Sequence, residues 1–143
     1  MKILIVNGPN INMLGIREPD IYGTETYETL VKMLSDRAHE LGIEILFYQS
    51  NHEGKLIDEI QKTYFDGTDG IIINPAAYTH TSIAIADAIA CIGIPCVEVH
   101  ISDPDTREDF RHVSYVRPVC RACFKGDGFD SYIHAVNYLI GNQ

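Results

Sequence analysis

Residues 2–23 read KILIVNGPNINMLGIREPDIYG, an apolar strand running straight into a loop too polar and too specific for a connector. Lys2 to Val6 has the aliphatic character of a buried β-strand, and Asn7-Gly8-Pro9 stops it. The loop then places Asn10, Asn12, Arg17, Glu18 and Tyr22 close to that strand's C-terminal end. In parallel α/β sheets this is the edge where ligands bind.

The remaining chain repeats the strand-then-helix pattern. Leu30, Met33, Leu34, Ala38 and Leu41 recur at helical spacing and Gly42 supplies the stop, so a helix is expected over Thr26 to Leu41. Ile43 to Tyr48 reads as a second strand, and Leu56 to Phe65 as a helix with Leu56, Ile57, Ile60 and Tyr64 on one face. Gly70 to Ile73 is a third strand. Thr81-Ser82 opens the apolar helix IAIADAIACIG, closed by Gly93 and Pro95 before a strand at Cys96 to Ile101. A short polar helix around Asp105 to Arg111, a strand at Val119 to Phe124 and a helix at Asp130 to Ile140 complete the pattern. Strict alternation implies a single domain over residues 1–143: an α/β three-layer sandwich with a five-stranded parallel sheet, flavodoxin-like, in the order 2-1-3-4-5.

Composition narrows the functional classes. With 143 residues, 45% hydrophobic and 22% charged, the chain has room for one core, and no apolar run is long enough to span a bilayer. The N-terminal apolar run is too short for a secretory signal and lacks a cleavage site, so a cytoplasmic protein is expected. A net charge of −9 argues against nucleic acid as a partner, since neutralising phosphates needs clustered Lys and Arg. A small anion needs only local donors, and Arg107, Arg111, Arg117 and Arg121 fall in one late stretch. Cys91, Cys96, Cys120 and Cys123 have a loose zinc-like spacing. Reading Cys96 and Cys120 into strands, where neighbours alternate sides, favours buried free thiols over a metal site.

One strand breaks its own pattern. A central parallel strand, covered on both faces, should read as continuous Val and Ile. In CVEVHIS the residues Val97, Val99 and Ile101 share one face, while Glu98, His100 and Ser102 share the other. A carboxylate two residues from an imidazole can fix the ring's tautomer and raise its proton affinity, as a general acid requires, although a structural Glu-His pair would look the same. The third strand ends in NPAAYTHTS, delivering Asn74 and His80 to the same edge. Taken singly, Asn74 could be a turn residue and His80 a partner of a helix cap. Three ligand-edge loops with polar clusters favour a site.

These segments together resemble the type II 3-dehydroquinate dehydratases: NGPNINMLGIREPDIYG, QSNHEG, INPAAYTHTS, VEVHIS and the R-x-x-F-R-H-x-S-Y element at Arg107 to Tyr115. The resemblance covers nearly the whole chain. It implies anti elimination of water from 3-dehydroquinate through an enolate, with neither metal nor organic cofactor. By the same resemblance Tyr22 is the base, Arg17 lowers its pKa, Asn10 holds a water against the enolate oxygen, and His100, oriented by Glu98, protonates the departing hydroxyl. Asn74, His80, Ile101, Ser102 and Arg111 match the binding positions, and Asp87 one that reaches into a neighbouring subunit's site. A homo-oligomer built from trimers, commonly a dodecamer, is therefore implied. The chemistry is physically reasonable. A tyrosine of ordinary pKa near 10 is only about 0.1% ionised at pH 7, and a nearby cation lowers that pKa by about 1 to 3 units, worth up to about a thousandfold in active base. The loop carrying Arg17 and Tyr22, with Gly15, Pro19 and Gly23, suits a lid. Backbone N–H groups of Ile101 and Ser102 at a strand end suit a carboxylate, which explains how an acidic protein can bind an anion.

The chain departs from the family in two places. Asp103 stands where the family usually has Asn. Facing a substrate carboxylate at about 5 Å, with an effective dielectric near 20, it would cost roughly 3 kcal/mol, so it is expected to point away and cap the following segment. Phe129 and Asp130 depart from the usual glycine-rich pattern near the C-terminus, which touches packing more than chemistry. Three rival readings remain. A metal hydrolase on His80, His100 and Glu98 lacks helical His spacing. A Schiff-base dehydratase needs a lysine at a strand's C-terminal end, and Lys2, Lys32, Lys55, Lys62 and Lys125 are all read elsewhere. A flavodoxin-like binding protein would need a glycine-rich phosphate loop.

Overall fold

The computed structural model describes residues 1–16, 18–22 and 24–142, with the side chains of Pro19 and Tyr22 excepted. Five parallel strands, β1 (Lys2–Asn7), β2 (Glu44–Gln49), β3 (Gly70–Asn74), β4 (Cys96–His100) and β5 (Ala122–Lys125), form one sheet in the order β2-β1-β3-β4-β5, as the alternation predicts. The helices are a short α1 (Pro19–Tyr22), then α2 (Tyr27–Leu41), α3 (Glu53–Asp66), α4 (Ile83–Ile92) and α5 (Asp130–Gly141).

The side-chain alternation of the strands divides the core in two. Ile3, Ile5, Ile72, Val97 and Val99 pack on one face with Leu30 and Leu34 of α2 and Ala135, Val136 and Leu139 of α5. Leu4, Val6, Ile71, Ile73 and Cys96 pack on the other with Leu56 and Ile60 of α3 and Ile85 and Ile89 of α4. Helix ends follow their capping chemistry. Thr26 precedes α2 and its hydroxyl accepts from the Thr29 N–H at 3.2 Å, while Ser82 does the same for Ile85 at 3.0 Å ahead of α4. Gly42 and Gly93 end those helices in the left-handed region.

Four details differ from the sequence reading. On α3 the buried stripe is Leu56, Ile60 and Thr63, whose hydroxyl donates to the Ile60 carbonyl at 2.6 Å, whereas Tyr64 turns outward. The segment 105–111 is not one helix but two 3-10 turns, Pro104–Thr106 and Asp109–Arg111, separated by Arg107 in extended conformation. The Asp103 side chain accepts from Asp105 N–H and tightens the first turn, and no apolar period draws the rest into an α-helix. The last strand begins at Ala122, because Arg117–Val119 forms a 3-10 turn around Pro118, which has no N–H for the sheet. Cys120 therefore lies outside the strand assigned to it, and Lys125, read as lying away from a strand's C-terminal end, is the last residue of β5.

Candidate active site

The sheet's register lines up polar residues at its C-terminal edge: Gln49 beside Asn7, Asn7 beside Asn74, and His100 beside Lys125. Beneath that edge is a buried amide network. The Tyr132 hydroxyl, on α5, donates to Asn7 Oδ1 at 2.6 Å and accepts from Asn74 Nδ2 at 2.9 Å, and Asn74 Oδ1 accepts from the Ala76 N–H at 3.1 Å. Burial pushes the Tyr132 phenol far up, so it remains a neutral donor. This network fixes Ala76 at a positive φ of 52°, a conformation uncommon for a residue with a Cβ.

A cleft opens there, lined by Ile11, Asn74, Ala76, Ala77, His80, His100, Ile101, Ser102, Pro104, Arg107 and Arg111. Of the residues singled out from sequence, Asn74, His80, His100, Ile101, Ser102 and Arg111 thus meet in one place. Glu98 lies behind His100 with 0% exposure, and its Oε1 is 2.5 Å from His100 Nε2. An ionised carboxylate can only accept, so Nε2–H donates to it, leaving Nδ1 as the ring's other proton-carrying atom. Glu98 also accepts from the Ser114 hydroxyl at 3.1 and 3.2 Å, and its Oε2 lies 3.7 Å from Arg117 Nε.

His80 donates from Nδ1 to the Val113 carbonyl at 2.7 Å. Burial lowers its pKa from the usual 6.5, more than that carbonyl raises it, so the ring is neutral near pH 7. Arg111 is held by Glu108 at 2.8 Å, and Arg107 approaches the same carboxylate at 3.8 Å. Both guanidiniums therefore stand at the mouth of the cleft beside the Glu108 carboxylate.

Other sequence-derived residues lie elsewhere. Asn10 is exposed at a left-handed φ of 70°, its N–H donating to Asn51 Oδ1 at 3.0 Å, and it is not among the residues lining the cleft. Asp87 is exposed on α4, away from the cleft. Arg17 lies outside the described residues, as does the side chain of Tyr22, whose backbone ends α1. Asp103 points away from the cleft as expected: it caps Asp105 at 3.0 Å and pairs with Lys125 at 2.9 Å. Lys125, also paired with Asp105, has its pKa raised chiefly by that hydrogen bond. Its amine is therefore charged, the opposite of what imine formation needs.

Sequence reasoning named Arg107 and Arg117 only as part of a basic stretch, without placing Arg107 in the cleft or Ser114 and Arg117 behind it. Ser114 lies inside a segment already quoted, but nothing in its spacing from Glu98 marks a contact. Among the described residues, Glu98, His100 and Cys123 present donor atoms within 4.8 Å of one another, the arrangement a metal would use. Burial pushes the Cys123 thiol up to about 11, so it stays protonated, and Arg117 already supplies the positive charge that a cation would bring.

A model of the family described as dehydroquinase class II matches residues 1–140. The chain is 54% identical over 138 residues to the 3-dehydroquinate dehydratase of Caldicellulosiruptor bescii, covering 96% of this chain and 95% of that protein. It is 56% identical over 140 residues to the 3-dehydroquinate dehydratase of Lachnoclostridium phytofermentans, covering 98% and 97%. The crystal structure of the type II dehydroquinase from Butyrivibrio crossotus matches with a TM-score of 0.97 at 55% identity, covering 98% of this chain and 97% of that one.

Proposed function

The chain belongs to the class II dehydroquinase family, and from that premise we propose how its residues carry out the dehydration of 3-dehydroquinate to 3-dehydroshikimate. Tyr22, made acidic by Arg17, takes the proton from the carbon beside the ketone. The electron pair forms an enolate, whose oxygen is stabilised by a water held by Asn10. The enolate collapses to the conjugated enone as the hydroxyl leaves, and imidazolium His100 delivers the proton that makes it water. Glu98 sets the tautomer and stabilises the imidazolium. The Ile101 and Ser102 N–H groups take the substrate carboxylate, while Asn74, His80 and Arg111 take its ring oxygens. Apart from that water, every group is supplied by the protein, and no cofactor takes part.

The observation that carries this reading is the 2.5 Å Glu98–His100 pair, buried on a central strand where an aliphatic face is expected, with His100 opening on the cleft. The polar lining suits a small polyhydroxylated anion. Exposed Ile83, Phe110, Val113 and Tyr115, together with exposed Asp87, support assembly into trimers and then a dodecamer in which Asp87 serves a neighbouring site. No described helix is long and apolar enough to cross a membrane, and a cytoplasmic location is part of the proposal.

Mixing the purified protein with 3-dehydroquinate should produce the ultraviolet absorption of a conjugated enone. Tyr22→Phe should cut the rate by at least about a hundredfold, within the range for a lost general base. A variant turning over near the wild-type rate would remove Tyr22 as the base. Borohydride added during turnover should trap no adduct, Lys125 included.

A further inference from the structure

The position of Arg117 does not follow from the catalytic scheme. Its guanidinium is carried by the irregular segment between the cleft and β5, yet Nε, buried and with no hydrogen-bond partner among the described residues, sits 3.7 Å from Glu98 Oε2. Ser114 ties the two together: its Oγ accepts from the Arg117 N–H at 3.0 Å, which turns the single hydroxyl proton toward Glu98.

We propose that Arg117, seated by Ser114, is a positioning residue that offsets the Glu98 charge from behind, so that His100 can release its proton to the leaving group rather than being locked into the ion pair. This rests on His100 being the proton donor.

A carboxylate with no solvent exposure needs a counter-charge. Were His100 the sole one, desolvation would make the pair cling to its proton, and a donor that clings is a poor acid near neutral pH. The neighbouring groups leave that task to Arg117. Cys123, on β5, stays neutral with its thiol pushed up to about 11 by burial, and Cys96, beneath the pair, is likewise held neutral. Lys125 is occupied by Asp103 and Asp105, and across the cleft Arg111 is paired with Glu108 while His80 is neutral. Burial lowers the Arg117 pKa, but Cys123, Glu98 and Asp105 raise it by more, so the guanidinium keeps its charge.

The test is the pH profile of kcat for Arg117→Gln, Arg117→Lys and Ser114→Ala. In the first, the alkaline limb, where the donor empties, should move up by about one pH unit, with kcat at neutral pH down about tenfold and KM changed less than about threefold. Arg117→Lys should return the limb most of the way. Ser114→Ala, which removes a donor from the same carboxylate, should move it in the same direction by less, and decides the matter if Arg117→Gln is insoluble. An unmoved alkaline limb in a folded variant overturns the inference. His100→Gln separates the two levels: if it destroys turnover while the Arg117 variants keep the wild-type limb, only the role of Arg117 fails. Near wild-type turnover in His100→Gln removes the donor itself, and this inference with it.

Discussion

Asp103 stands where the resemblance leads one to expect Asn, and its geometry explains how a carboxylate can sit beside the proposed anion site. Its oxygens cap Asp105 and pair with Lys125, so the charge is neutralised on the side away from the cleft. Asp103→Asn keeps a capping side chain and removes only the charge. Its KM for 3-dehydroquinate should change less than threefold; a large improvement would mean that the carboxylate faces the substrate. The same variant reports on stability. The hydrogen bond from Lys125, then that from Asp105 N–H, lowers the Asp103 pKa below 3.8. A lowered folded-state pKa contributes stability above the unfolded value and loses it as pH falls through the folded one. Asp103→Asn should therefore show a small Tm deficit at pH 7, worth under about 1 kcal/mol for so exposed a pair, that shrinks as acid protonates the folded-state carboxyl. A deficit unchanged by acidification would assign the loss to packing.

Among the elements, the junction of β1 and β3 imposes the strictest demand. Sequence reasoning treats Gly8 as a strand stop, yet its φ is not in the left-handed region and no turn demands a glycine there. The reason is space. A Cβ at Gly8 would meet the Pro75 carbonyl oxygen at 2.4 Å, and the Gly8 N–H donates to the Asn74 carbonyl at 2.8 Å. The backbones of the two ligand-edge loops touch, fixing Asn74 and the floor of the cleft. Gly8→Ala must part them, at a cost of more than about 3 kcal/mol on urea unfolding, or yield insoluble protein. A stable, active Gly8→Ala would show that the loops move apart freely.

At the scale of the whole molecule, Asn10 and Asp87 stand outside the lining of the cleft, and Ile83, Phe110, Val113 and Tyr115 are exposed. The proposed assembly would bury those apolar side chains and let a neighbouring chain contribute to the site. Light scattering should give a mass about twelve times that of one chain, and Phe110→Glu should shift it to smaller species with loss of activity, because a charge buried in a subunit interface is costly. A fully active monomer would rule out a contribution from a neighbouring chain.

What the sequence determined by itself was most of what neighbours along the chain set, the 3-10 turns near Asp105, Phe110 and Pro118 excepted. Alternation at period two placed Glu98 and His100 together, helical spacing and caps placed α2 and α4, and strict strand-helix order led to the sheet. It failed where order along the chain carries no information about distance in space. The Tyr132 hydroxyl meets Asn7 across 125 residues, Ser114 and Arg117 reach Glu98 from a segment with no period to read, and Lys125 ends β5 through its pairing with His100 on β4. Those contacts arise only when packing brings remote segments together, and they fix the charge on the Glu98–His100 pair and the floor of the cleft.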